Sequence, residues 1–230
     1  FELGALPVML PMIEIAPPDD WSDVDAMLNR LEEYDWIVWT SANGVRGLLD
    51  RLWHNGGDIR RLSRAKLACI GPATAKVLEQ YSLRADVIPT EFRAEALAAA
   101  LAPKVSGQKV LWARASRGRD VLPQILTQAG ANLEQVVVYQ NRDVTSFPEA
   151  ERTRLERGDL DWIGLSSPSI ARSLAKLITP VARQLVGTRT KLASISPVTT
   201  AAAAEVGLPI AAEATTYTWE GLFQAMIDAD

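Results

Sequence analysis

The sequence predicts an α/β fold: two similar domains, each with a parallel sheet flanked by helices, joined by a two-stranded β-ribbon hinge. Three observations lead to it. Short apolar runs alternate with amphipathic helical patterns along the chain, which is how parallel sheets covered by helices read. Stretches of the first half return, in order, in the second. Two extended segments, residues 8–15 and 136–142, break the alternation, and each closes a repeat unit.

The repeat is explicit. Asp35-Trp36-Ile37 followed by Thr40-Ser41 returns as Asp161-Trp162-Ile163 followed by Ser166-Ser167 at an offset of 126, with Arg46 and Arg172, then Leu48 and Leu174, in the same register. At an offset of 125, Lys66-Leu67-Ala68 with Ile70, Pro72 and Thr74 returns as Lys191-Leu192-Ala193 with Ile195, Pro197 and Thr199. Thr90, Glu95 and Leu97 then match Thr215, Glu220 and Leu222. Each copy covers about 65 residues, too long for a solenoid repeat and right for two related domains. Leu3-Gly4-Ala5 aligns with Ala129-Gly130-Ala131, the end of a unit that the second copy has in full: a strand, an Arg-rich turn and a helix. By that register the first copy would need roughly 20 more residues at its front, so the sequence is expected to lack an opening strand, loop and helix.

The strand-like runs are residues 36–39, 67–70, 86–88, 110–113, 163–165 and 192–195. Between them lie helical patterns, such as 120–129 with Leu122, Ile125 and Leu126 on one face, and one ending near Trp53, where His54 precedes the C-cap sequence Asn55-Gly56-Gly57. If the two extended segments pair as a ribbon, residues 18–134 close as an inserted α/β domain. Residues 1–8 plus 145–230 then form the second, with 9–17 and 135–144 as linker strands. Pro17-Pro18 and Ser146-Phe147-Pro148 mark the exits from the ribbon. Such a linkage suggests a clam closing on a ligand.

Composition narrows the partners. With 24 basic and 28 acidic residues the net charge is -4, which argues against a general nucleic-acid or membrane-surface binder. The basic set is 18 Arg against 6 Lys, and Arg forks suit carboxylates and phosphates. One Cys and one His make neither an internal disulfide nor a Cys/His metal site. Glycine-rich nucleotide loops and Mg²⁺-type acidic clusters are missing, so no cofactor and no metal are expected. No apolar stretch reaches the ~20 residues of a membrane helix. A cytoplasmic monomer is the expectation.

Four strand ends run into small polar residues at a helix start: Thr40-Ser41-Ala42-Asn43-Gly44, Gly71-Pro72-Ala73-Thr74, Ser166-Ser167-Pro168-Ser169 and Ser196-Pro197-Val198-Thr199. Each reads equally as a helix cap or as a ligand contact at the carboxyl edge of a sheet, where open α/β folds bind anions. Arg114, Arg117 and Arg119 form either a solvated charge run or an anion site. Tyr139 stands on an extended segment where β-propensity alone would explain it. Cys69 reads as a buried small hydrophobe, His54 as a surface residue, and the seven tryptophans mostly as packing.

On these residues the sequence resembles the uroporphyrinogen-III synthase family, over nearly the whole chain. The resemblance rests on the run Asp35 to Val45, on Ile70-Gly71-Pro72-Ala73-Thr74-Ala75, on Arg93-Ala94-Glu95-Ala96-Leu97, on Gly118-Arg119-Asp120, on Val138-Tyr139-Gln140 and on Ser166-Ser167-Pro168-Ser169. It implies cyclisation of the linear tetrapyrrole hydroxymethylbilane to uroporphyrinogen III, and a cleft lined by Thr40, Ser41, Thr74, Ser167 and Thr199. Asn43, Gly71, Ser166 and Ser169 join them as substrate-binding candidates from the same turns, and Arg114 and Arg119 as anion-binding ones. Tyr139 is then the hinge tyrosine and the acid for loss of the substrate hydroxyl. Two departures stand out: Ser196 occupies a place where the family has Gly, and the family's opening strand with its Thr-Arg-Pro turn is not in this sequence. The same architecture would also serve a non-catalytic anion- or tetrapyrrole-binding module, or a sensor domain attached to another protein.

Overall fold

The computed structural model describes residues 4–229. The chain divides into two compact units, one of Ile15–Arg142 and one made of the described residues on either side of it. The first has a five-stranded sheet in the order β1-β5-β4-β2-β3, with β1 Ile13–Ala16, β2 Trp36–Trp39, β3 Lys66–Cys69, β4 Lys109–Ala115 and β5 Asn132–Asp143. Strand β2 pairs in parallel with β3 on one side and β4 on the other, and β4 pairs in parallel with β5.

Alternation of side chains fixes the layers. Ile37 and Trp39 of β2, Leu67 and Cys69 of β3, and Leu111 and Ala113 of β4 face one core, shared with α1 (Ser22–Asn29), α2 (Ala42–His54) and α3 (Pro72–Gln80). Trp36, Val38, Ala68, Val110 and Trp112 face the other, under α4 (Ala94–Leu101) and α5 (Val121–Gln128). A strand buried on both faces must be apolar throughout, which is why the run Trp-Ile-Val-Trp works at the sheet centre. Helix α2 buries Val45, Leu48, Leu49 and Leu52 along one stripe. At Gly47 a Cβ would come 2.5 Å from the Val138 carbonyl oxygen, so glycine lets α2 lie against the backbone of β5.

The second unit carries a three-stranded parallel sheet, β6 (Trp162–Leu165), β7 (Lys191–Ser194) and β8 (Ala212–Glu213), in that order. Helices α6 (Glu149–Arg157), α7 (Pro168–Leu177), α8 (Pro180–Leu185) and α9 (Pro197–Glu205) build one core with Ile163, Leu165 and Leu192. Helix α10 (Trp219–Asp228) covers Ala193 and Ala214 with Leu222. The sequence repeat is a structural repeat. Trp36 pairs with Lys66 as Trp162 does with Lys191, and the ammonium groups sit 5.5 and 5.0 Å over the two indoles. The left-handed residue after α3 is Ser82 and its counterpart after α9 is Gly207, with φ of 60° and 70°.

Some expectations are corrected. Residues 135–144, expected as a linker strand, include the second half of β5, whose ladder with β4 runs on to Tyr139, and β1 is the other neighbour of β5. Residues 86–88 form only a one-residue bridge from Val87 to Ala68, whereas the equivalent segment of the second copy becomes β8. Trp53 and Trp219 are 74% and 51% exposed rather than packed, Trp53 on the outer side of the last turn of α2 and Trp219 at the first turn of α10, 5.9 Å from the Phe223 ring. Among the described residues no helix is long and apolar enough to cross a membrane.

Arg51 of α2 grips Asp25 of α1 with Nε and Nη2 at 2.7 and 2.6 Å, and Asn55 donates to the same carboxylate. The guanidinium hydrogen bonds hold the Asp25 carboxyl down at about 2. A depressed carboxyl stabilises the fold fully above its unfolded pKa of about 3.9 and loses that contribution as pH falls through the folded value. We therefore expect Asp25→Asn to lower Tm at pH 7 and to have little effect at pH 2. Thermal melts across that range check it, and an equal Tm loss at both pH values would contradict it.

Candidate functional site

Because β2, β3 and β4 are parallel, their carboxyl ends share one edge of the sheet, and the turns that follow start α2, α3 and α5. Ser41 is the N-cap of α2: its Oγ accepts from the Gly44 amide at 3.0 Å. The same Oγ lies 3.0 Å from the Tyr139 hydroxyl. What brings Tyr139 there is a register shift in the β4–β5 ladder, where Arg114 faces Val137 but Ala115 faces Tyr139. An extra residue of this kind re-aims side chains, a common device beside functional sites. Tyr139 is half-buried. Thr40, one residue before the cap, accepts from the Trp112 indole N–H at 3.2 Å.

Of the three arginines singled out from the sequence, Arg114 and Arg119 are both engaged. Arg114 lies 4.4 Å over the Trp112 ring, donates to Gln135 at 2.7 Å and approaches Asp120 at 3.4 Å, with its side chain only 14% exposed. It braces the edge and has little fork left for a ligand. Arg119 pairs with Glu95 at 2.7 Å but remains 69% exposed. The cation that sequence reasoning passed over is Arg46. With Asn43, Trp21, His54 and Tyr139 it lines a cavity of about 510 Å³, and no carboxylate of the described residues pairs with it. Its counterpart Arg172 is held by Glu205 at 2.9 Å, while Gln80 occupies the place equivalent to Glu205. The doubled register of Arg46 and Arg172 was the available signal, but only the difference between Gln80 and Glu205 separates the two.

In the second unit Ser167 caps α7, its Oγ 3.3 Å from the Ile170 amide and 3.0 Å from Ser169 Oγ, while Ser166 is half-buried beside it. Thr74 and Thr199, expected to line a cleft, are instead 4% and 0% exposed. Each lies in the first turn of its helix with its N–H donating back to the N-cap carbonyl, of Gly71 and Ser196 respectively, so both shape the turn. Ser196 does not crowd that turn. Its φ of -166° is extended, like the -173° of Gly71, and its hydroxyl bonds Thr199 at 3.1 Å. At Gly71 a Cβ would come 3.2 Å from the Phe92 side chain, a close approach that glycine avoids.

Fold and site together define a duplicated α/β enzyme class whose sheet edges present capped helix starts, hydroxyls and an Arg- and Tyr-lined cavity. The profile of the family described as uroporphyrinogen-III synthase HemD matches residues 2–224, and the chain belongs to that family. Membership places it among the enzymes of tetrapyrrole biosynthesis. A uroporphyrinogen-III synthase of Synechococcus elongatus is 30% identical over 97% of this chain and 86% of its own. A putative one of Methanothermobacter thermautotrophicus is 29% identical over 85% and 78%. The crystal structure of the Helicobacter pylori enzyme shares the fold, with a TM-score of 0.62 at 18% identity over 96% of this chain and 92% of that one.

The double duty of Ser41 can be measured. We expect Ser41→Ala to cost about 1 kcal/mol through the lost cap, and the Ser41→Ala/Tyr139→Phe cycle to show a coupling of about 1 kcal/mol from their shared bond. Urea unfolding of the four proteins gives both numbers, and additive effects would mean that the two hydroxyls do not interact in solution.

Proposed function

We propose that this protein converts hydroxymethylbilane to uroporphyrinogen III, closing the linear tetrapyrrole with inversion of its terminal ring and loss of water. Family membership supports the reaction, and the pairing of Tyr139 with Ser41 at the sheet edge is the observation that carries the chemistry. In this reading the Tyr139 hydroxyl, oriented by Ser41, gives its proton to the departing hydroxyl, which leaves as water. The resulting azafulvene is attacked by the substituted carbon of the far terminal ring. The spiro species opens and recloses with that ring reversed, and the proton lost on rearomatisation restores the acid. Thr40, Asn43, Gly71, Ser166, Ser167, Ser169 and the exposed fork of Arg119 are assigned to the substrate, with Arg46 added for its carboxylates. Arg114, Thr74 and Thr199 hold the shape of the edges.

The bilane closes unaided to the unrearranged isomer, so the enzyme's task is to fold it for the spiro route, and proximity supplies most of the effect. A local set of donors suffices for a polycarboxylate, which fits a net charge of -4. A cytoplasmic monomer belongs to the same reading.

Incubating hydroxymethylbilane with the protein and separating the product isomers tests the proposal: type III is expected, and type I alone would overturn it. For Tyr139→Phe we expect kcat to fall at least about tenfold with KM changed less than about twofold, as for a proton delivered in the transition state. An unchanged kcat would leave Tyr139 as a structural residue of β5.

A further inference from the structure

The cavity of about 510 Å³ contains an unanswered charge. Every residue that lines it lies in the unit Ile15–Arg142. Asn43, Arg46 and Asp50 reach it from one face of α2, at i, i+3 and i+7, while Ile15 and Trp21 give it an apolar wall and Tyr139 lines it as well. Two other charged groups there are occupied. Arg51 commits Nε and Nη2 to Asp25 and lies 4.8 Å over the Trp21 ring, and Asp50 accepts from the Tyr81 hydroxyl at 2.6 Å. Among the described residues no carboxylate pairs with Arg46.

The duplication shows what sets Arg46 apart. Its counterpart Arg172 is held by Glu205 at 2.9 Å, and the place equivalent to Glu205 is Gln80. The helices correspond too, since α2 packs on α3 as α7 does on α9. Arg46 lies near enough to the end of α3 for its charge to act on Tyr81, next to Gln80. A glutamate at 80 would therefore take up the guanidinium as Glu205 does, whereas a neutral glutamine leaves the forked donors for a carboxylate from outside. The cavity falls in the ~300–1,000 Å³ range of ligand pockets. A cation beside an apolar wall complements a flat ring that bears a carboxylate.

We propose that Arg46 grips a carboxylate of the pyrrole that carries the departing hydroxyl, seating that ring in the cavity with its hydroxymethyl group toward Tyr139, and that Gln80 is what leaves Arg46 free to do so. This rests on the reaction proposed above and deepens it: every ring of the bilane bears acidic side chains, and a fork on the same unit as Tyr139 selects the one that meets the acid. Arg46 is then a positioning residue. It makes its contact in the ground state and the transition state alike, so it acts on KM, whereas Tyr139 acts on kcat.

Two unreactive bilanes with methyl in place of the hydroxymethyl group supply the binding readout: one keeps the carboxylates of that terminal ring, and the other has methyl groups instead. Calorimetry runs at about 0.15 M salt, where charges acting from beyond roughly 8 Å are screened. We expect Arg46→Gln to raise the Kd of the first bilane roughly tenfold, equivalent to about 1.4 kcal/mol, and to leave that of the second within about twofold. Gln80→Glu should weaken the first bilane as Arg46→Gln does, Gln80→Ala should not, and the Arg46→Gln/Gln80→Glu protein should stay within about twofold of Arg46→Gln. Arg64→Gln, which removes an exposed charge before the amino end of β3, is the control and should match wild type. With hydroxymethylbilane, Arg46→Gln should raise KM roughly tenfold and keep kcat within about threefold. Equal losses on the two bilanes, or a wild-type Kd in Arg46→Gln, would overturn the seat for that ring even if type III product forms. Losses that add in the double variant, or a Gln80→Glu protein that binds as wild type, would overturn the role of Gln80. If the wild-type protein forms no type III product yet binds with this dependence on the terminal ring, the seat stands and the reaction falls. If it binds neither bilane, the seat falls too.

Discussion

The parallel pairing of β2 with strands on both sides is the constraint on which the larger unit depends. Four residues, all buried, must satisfy their backbone groups through β3 and β4 and fill two cores with alternating side chains. Parallel neighbours bring the carboxyl ends to one edge, so the chain must leave β2 there and start α2 at once. Ser41 answers that demand by capping the helix, and its hydroxyl is thereby fixed where Tyr139 reaches it. The candidate chemistry follows from how a buried strand has to end.

The arginine-rich composition takes on a different meaning in the structure. Much of it forms internal forks: Arg51 with Asp25, Arg30 with Glu134, Arg61 with Glu32 and Arg60 with Asp58. Several tie one element to another, as Arg30 does in joining the end of α1 to β5, where Tyr34 also donates to Glu134 at 3.0 Å. Exposed pairs of this kind contribute little individually. Counting Arg therefore overstates the cations available to a polyanion, and Arg46, with no carboxylate partner among the described residues, is the better guide.

Duplication set the same local physics twice and let the details diverge. The cap at Ser41 and Ser167, the turn at Gly71 and Ser196, and the left-handed residue at Ser82 and Gly207 repeat the backbone with different side chains. Where only the backbone matters, Ser and Gly exchange freely, as at the extended N-cap of α3 and α9. Where a ring must pack, as Phe92 does on Gly71, the side chain is constrained. Divergence on a shared frame is how one copy can keep Arg172 bound to Glu205 while the other leaves Arg46 facing a cavity.

The sequence alone determined the α/β class, the repeat and the turns that carry the candidate site, because period, capping and register are local properties written in residue order. It also placed Ser41 and Tyr139 among the candidates, though nearly one hundred residues separate them. Only the tertiary structure decided that the two hydroxyls meet, that Arg114 is occupied and Arg46 is not, and that Thr74 and Thr199 are buried. Those outcomes depend on the shift in the β4–β5 ladder, on a carboxylate contributed by a distant helix and on which side of a helix turn meets the core. Each is a contact between segments far apart in the chain, which no local pattern records.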